Sequence, residues 1–149
     1  MGVGHRDASQ AIDSLTRLFT YGLRWGVPAW LVDVRDAWHR PVPPARARVA
    51  VPIWRDPWMV VGRDTFTGDL LRRRGYRNVF AHHPDRYPRV ALAEIDRDDV
   101  DLILLPDEPY RFTAADGPEA FTTARTTLVS GRLLTWYGPS LREAASFTA

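Results

Sequence analysis

Trp54-Arg-Asp-Pro-Trp58 sets two indoles, a guanidinium and a carboxylate within five residues, directly after the apolar run Val49–Ile53 and around a break at Pro57. An apolar run that stops on such a segment reads as a buried strand ending in a binding loop. The arrangement recurs. Tyr87 in Asp85-Arg-Tyr-Pro88, Tyr110 after Pro106-Asp-Glu-Pro109, and Trp136-Tyr137 before Gly138-Pro139 each follow a further apolar run. Rings offer wide apolar contact at little rotamer cost, so six of them on one rim suit a large, flat or partly apolar ligand. The same rings could instead close the top of the core. Arg55, Asp107 and Glu108 interleave with them and could orient a ligand by hydrogen bonds. Asp56 reads better as a helix cap or an ion-pair partner.

Other residue types point to less. Asp107 and Glu108 could act as general acid and base, but no second carboxylate pair and no positioned serine or histidine accompanies them, so the reading is binding without catalysis. Adjacent His82 and His83 would diverge in a loop and need a third metal ligand such as Asp85; exposed turn histidines are the simpler account. The chain has no cysteine, which removes thiolate metal sites, Cys nucleophiles and disulfides together. Gly-rich dinucleotide and phosphate loops and the G-x-S-x-G elbow are absent from the sequence. Arg72-Arg73-Arg74 reads as a solvated helix end, where cations suit the helix dipole.

These side chains need a frame to hold them. At 149 residues with 45% hydrophobic content, one sizeable core is the expectation. All 20 basic residues are arginine and the net charge is only +2, which argues against a nucleic-acid partner. No apolar run approaches the ~20 residues that span a bilayer. Ile12, Leu15, Phe19 and Leu23 recur at helical spacing and predict a helix over residues 8–24. Pro28 would open a second helix ending near Arg40, and Pro41, Pro43 and Pro44 then form a stiff connector. Residues 1–44 are thus a helical segment, and residues 45–149 alternate between strand and helix. The predicted strands are 49–54, 78–80, 100–105 and 127–130. The helices are 64–75 with Asp64 as cap and Gly75 past its end, 92–97, 116–124 capped by Asp116, and 139–147 opened by Pro139. That order implies an α/β, Rossmann-like three-layer sandwich with a small parallel sheet, whose ligand edge lies at the carboxyl ends of the strands.

Ile53-Trp-Arg-Asp-Pro-Trp-Met-Val-Val-Gly62, Asp64-Thr-Phe-Thr-Gly-Asp-Leu-Leu-Arg-Arg-Arg-Gly75, Asn78-Val-Phe80, Tyr87-Pro88 and Trp136-Tyr-Gly-Pro139 together resemble the carboxy-terminal lobe of a periplasmic substrate-binding protein. The type is the one with a helical backbone between lobes, serving ABC importers of cobalamin, iron chelates and metals, and the vitamin B12 receptor branch is the most similar. The resemblance implies half of a clamp in which Trp58, Tyr87 and Trp136 line the pocket, with Trp54, Tyr110 and Tyr137 around them. It further implies an ABC permease as partner and a first lobe from an upstream segment or a separate chain, with residues 8–40 as its last helix and the linking helix. No resident cofactor is expected, only a ligand such as cobalamin or a ferric chelate. Where such receptors carry an acidic permease contact after the Trp-Tyr pair, this sequence has Gly138. An exported parent would place the lobe in the periplasm or at the cell surface. As written, Met-Gly-Val-Gly-His-Arg lacks a signal-peptide core and implies the cytoplasm. The rival reading is a cytosolic interaction or ligand-sensing domain, with a homodimer through residues 8–40.

Overall fold

The structure, a computed structural model, describes residues 8–135. Along the chain it runs through α1 (Ala8–Arg17), a π-turn (Leu18–Gly22), α2 (Ala29–Trp38), β1 (Ala47–Ala50), β2 (Pro52–Trp54) and β3 (Met59–Val60). Then come α3 (Phe66–Arg73), β4 (Tyr76–Asn78), α4 (Leu92–Ile95), β5 (Leu102–Pro106), a 3-10 turn (Pro118–Ala120), β6 (Arg125–Val129) and α5 (Gly131–Thr135). Strands β4, β1, β5 and β6 lie side by side in that order, all parallel, while β2 and β3 form a separate antiparallel hairpin. The expected α/β architecture with a small parallel sheet is therefore the observed one.

Alternation along the central strands divides the core in two. Val49 and Leu104 face the helical side, where Ile12, Leu31, Val34, Trp38, Phe66, Leu70 and Leu71 pack in one cluster. Ala50, Ile103 and Leu105 face the other side, against Ile95, Val100, Phe112, Phe121 and Ala124. Helices α1 and α2 therefore share a core with α3 and the sheet. Ile12 is buried, and Leu15 and Phe19 pack on the same cluster, but Leu23 is exposed. The cause is the π-turn: Leu23 N–H reaches back to Leu18 C=O, five residues, which rotates the apolar stripe away from the core.

Several boundaries differ from the sequence expectation for identifiable reasons. Thr65, not Asp64, caps α3, because Thr65 is extended and its hydroxyl accepts from Gly68 N–H at 3.0 Å while Asp64 sits at φ 51°. Gly75, at φ 75°, ends the helix as expected. Pro28 takes the cap position before α2, which stops at Trp38. The strand expected at 78–80 lies at 76–78, because Asn78 Oδ1 accepts from Phe80 N–H and turns the chain. No α-helix forms over 116–124. Asp96 takes the N–H groups of Thr122, Thr123 and Ala124 at 2.8–3.1 Å, so those donors cannot serve a helix. Arg73 is not a solvated helix end either: it donates to Trp38 C=O, Ser9 Oγ and Asp69, tying α1, α2 and α3 together. Trp136, Tyr137 and the helix expected over 139–147 lie outside the described residues.

At the amino end of the sheet Asp101 accepts from Arg48 N–H at 2.7 Å and from its guanidinium at 3.1 and 2.9 Å. The Arg48 side-chain hydrogen bond is the main reason the Asp101 carboxyl falls from 3.8 to about 2. A depressed carboxyl stabilises the fold above its unfolded pKa, and that contribution is lost as pH falls through the folded value. Between pH 3.8 and about 2, wild type should therefore lose stability more steeply than Asp101→Asn, as read by circular dichroism in an acid titration. Superimposable acid curves would show that the pairing does not bear on folding.

Candidate functional site

Strand β1 is flanked by β4 on one side and β5 on the other, so the chain's connections leave the sheet in opposite directions at this point. In open α/β sheets the crevice for a ligand opens at such a switch, outside the carboxyl ends of the strands. Here the two segments that border it are the hairpin β2–β3, with its tip at residues 55–58, and the stretch 107–121 after β5. They are joined by the bond from Tyr110 N–H to Ile53 C=O at 3.3 Å.

Four of the expected residues meet at this junction. Trp54 is 44% exposed and meets Tyr110 edge-on, with centroids 5.6 Å apart and planes at 77°. Trp58 is only partly exposed: it stacks on Phe112 at 6.0 Å and 5° and meets the edge of Phe121 at 5.2 Å. Tyr110 touches Phe112 at 4.7 Å, which completes a series of five rings from exposed Trp54 into the core. Arg55 lies over the Trp58 ring at 5.6 Å and donates to both Asp116 and Glu119. Asp116 also accepts from Tyr110 O–H at 2.6 Å, and Glu119 from Gly117 N–H at 2.5 Å. The hydrogen bond to Glu119 is the main cause that holds the Arg55 guanidinium above its ordinary pKa, with Asp116 contributing and burial opposing. Tyr110 is raised first of all by its bond to Asp116.

Phe112, Phe121, Asp116 and Glu119 were not among the sequence candidates. Phe121 lies on a stretch read as helix and Phe112 on one given no element, and Asp116 had the spacing of a helix cap. A run of Tyr, Phe and acidic residues over 110–121, facing an arginine flanked by tryptophans, was the available signal.

The other candidates stand apart from this junction. Tyr87 is exposed under Arg86, on a segment pinned to the far edge of the hairpin by Val60 N–H to Pro88 C=O and Gly62 N–H to Arg86 C=O. It makes no ring contact with Trp54, Trp58 or Tyr110. Asp107 is exposed and accepts from Gly131 N–H at 2.7 Å, where it closes the turn into α5. Glu108 is half-buried and packs against Gly131 so closely that a Cβ there would stand 2.5 Å from Glu108 Cγ. The Asp107 carboxylate and the backbone and Cγ of Glu108 thus shape the β6–α5 turn. His83 Nδ1 meets Asp85 N–H at 3.0 Å, and among the described residues no group of three or more His, Cys, Asp or Glu side chains could hold a metal ion. A groove of about 560 Å³ runs beside β4 between Arg63, Asp64, Thr65, Asp69, Asn78 and His82. Its one phenol or indole ring among the described residues, Tyr76, is engaged by Arg46, so the aromatic junction is the better candidate for a large, flat ligand.

No protein-family model matches the chain, and no curated protein matches it in sequence. Solved structures do match in shape. CeuE of Helicobacter pylori, solved as a Ni-His complex, superposes with a TM-score of 0.73 at 9% identity over 95% of this chain and 49% of its own. The periplasmic vitamin B12 binding protein BtuF of Vibrio cholerae gives 0.60 at 14% identity, over 95% and 59%. A periplasmic heme binding protein from Pseudomonas aeruginosa gives 0.61 at 20%, over 91% and 56%. The fold is that of a periplasmic binding-protein lobe. This chain spans about half of each matched protein, and its Trp54–Tyr110 junction lies beyond the carboxyl ends of β1 and β5. No helix among the described residues is long and apolar enough to cross a membrane.

Proposed function

We propose that the chain is one lobe and linker of a solute-binding component of an ABC importer, holding half of a site for cobalamin or a related metal chelate and performing no chemistry. The observation that carries this reading is exposed Trp54, set edge-on against Tyr110 at the switch point of the sheet. Shape likeness to proteins described as binding vitamin B12 and heme supports a flat metal chelate as the ligand class. A ligand wide enough to reach past the junction would also meet Tyr87, Asp107 and Glu108, with Trp136 and Tyr137 as further proposed contacts, and a first lobe closes the other side. The working compartment is the periplasm or cell surface, and the partner is the importer's permease.

A half-site lacks the opposing lobe's contacts, so the isolated chain binds at about millimolar rather than nanomolar, a gap of about 8 kcal/mol. Titration calorimetry with cyanocobalamin and with dicyano-haem tests this. The expected result is a weak isotherm that weakens a further fivefold or so in Trp54→Ala, about the worth of one aromatic contact. Nanomolar binding by the isolated chain would contradict the half-site.

One observation favours a second reading, a protein-interaction domain. Leu18, Tyr21, Leu23 and Trp25 are all exposed within eight residues, beside the π-turn. Sedimentation separates the two: a stable dimer dissociated by Trp25→Ser supports the interaction reading, whereas a monomer leaves the binding lobe as the account.

A further inference from the structure

The hairpin tip is fastened to the stretch after β5 by two independent routes. One is the backbone bond from Tyr110 to Ile53; the other runs from Arg55 through Asp116 to the Tyr110 hydroxyl. Glu119 holds the same guanidinium nitrogen and is itself fixed by Gly117 N–H. The Arg55 side chain is 24% exposed, and Asp56 adds a third carboxylate 3.7 Å from its Nε. One cation therefore faces three carboxylates, and its positive charge is more than offset by its own neighbours.

We propose that Asp116 and Glu119 are positioning residues of the aromatic rim: they clasp and neutralise Arg55, fix the angles among Trp54, Trp58 and Tyr110, and leave the site to select a flat apolar face over an anionic group. The proposal rests on the reading of this rim as a ligand site and adds which side chains set its geometry and charge. Partly exposed ion pairs contribute little to folding free energy. The effect of the clasp is accordingly in ring order and ligand choice and not in overall stability. A free arginine at the same place would do the opposite, drawing in carboxylate or catecholate oxygens through paired hydrogen bonds.

The experiment compares wild type, Asp116→Asn/Glu119→Gln, Arg55→Lys and Arg48→Gln, the last breaking an ion pair at the far end of the sheet. Near-ultraviolet circular dichroism reads the coupled Trp and Tyr rings without ligand. Titrations with net-neutral cyanocobalamin and with an anionic ferric tris-catecholate read selectivity at low and high salt. In the double variant the expected result is a weakened near-ultraviolet spectrum at nearly unchanged melting temperature, about threefold weaker cyanocobalamin binding and a gain for the tris-catecholate. Arg55→Lys should fall between, and Arg48→Gln should match wild type in both readouts. Wild-type cyanocobalamin binding should vary less than about twofold with salt. An unchanged near-ultraviolet spectrum in the double variant overturns the positioning role, and a wild-type preference for the tris-catecholate that fades with salt overturns the offset of the Arg55 charge by the clasp. If wild type binds neither probe, the rim is not a ligand site, while the ring spectra still decide whether the clasp orders it.

Discussion

Gly62→Ala is expected to lower the unfolding free energy by about 3 kcal/mol, the upper end of what overpacking usually costs. A Cβ at this position would lie 2.3 Å from Asp85 C=O, 2.9 Å from Pro88 Cδ and 3.0 Å from Arg86 C=O. Two of those three atoms are backbone, so no side-chain rotation relieves the clash. Retreat of the 85–88 segment would relieve the clash only by breaking the 2.7 Å bond from Gly62 N–H to Arg86 C=O, and the buried donor left unpaired costs a comparable amount, about 1–3 kcal/mol. Tyr87 rides on that segment and should move with it. Urea denaturation gives the free energy, and the Tyr87 ring resonances give the displacement. A variant as stable as wild type with unmoved Tyr87 signals would show that the approach of the two backbones is looser than described.

Trp58→Ala should also cost about 3 kcal/mol, whereas Trp54→Ala should cost less than about 1. The two indoles lie four residues apart in the same segment, yet their surroundings differ. Trp58 lies against Phe112 and Phe121, which are 2% and 8% exposed, and it supports Arg55 from below, so truncation opens a cavity beneath the hairpin tip. Trp54 keeps nearly half its surface in solvent and, among the described residues, leans on one ring. Stability loss should therefore follow Trp58, and ligand loss with an intact fold should follow Trp54. Thermal unfolding of both variants checks the split. Equal destabilisation by the two would mean that the hairpin is ordered by both rings alike.

Much of the frame was legible because buried parallel strands are nearly pure apolar runs. Val49–Ala50 and Ile103–Leu105 could hardly be read otherwise, and their order with the intervening helix at 66–73 led to the right layer architecture. The expected split between a helical segment and a lobe did not capture how Ile12, Leu31 and Trp38 share a core with Leu70 and Leu104. That packing is non-local, and helical spacing shows only that a face is apolar, not what it meets. Local competition hid the rest. Asp116 has the spacing of a cap, but Asp96, twenty-odd residues earlier, claims the N–H groups a helix would need. Likewise the π-turn that strips Leu23 from the stripe leaves no mark in the spacing of Leu15 and Phe19. At the rim, Trp54, Trp58 and Tyr110 could each be read as a ring following an apolar run. Which rings are structural and which face outward was not, since that depends on Phe112 and Phe121, whose own segments give no periodic signal.

If exposed rings at the switch point form half of a ligand clamp, the tryptophan indole N–H resonances of the chain should report it during titration with cyanocobalamin. Trp25 and Trp38 are internal references, one exposed away from the rim and one buried between helices. Progressive shifts are expected at Trp54 with an apparent Kd of about millimolar, smaller shifts at Trp58, and none at Trp25 or Trp38. Shifts confined to Trp25, or a Trp54 signal that stays fixed at saturating cobalamin, would contradict the clamp.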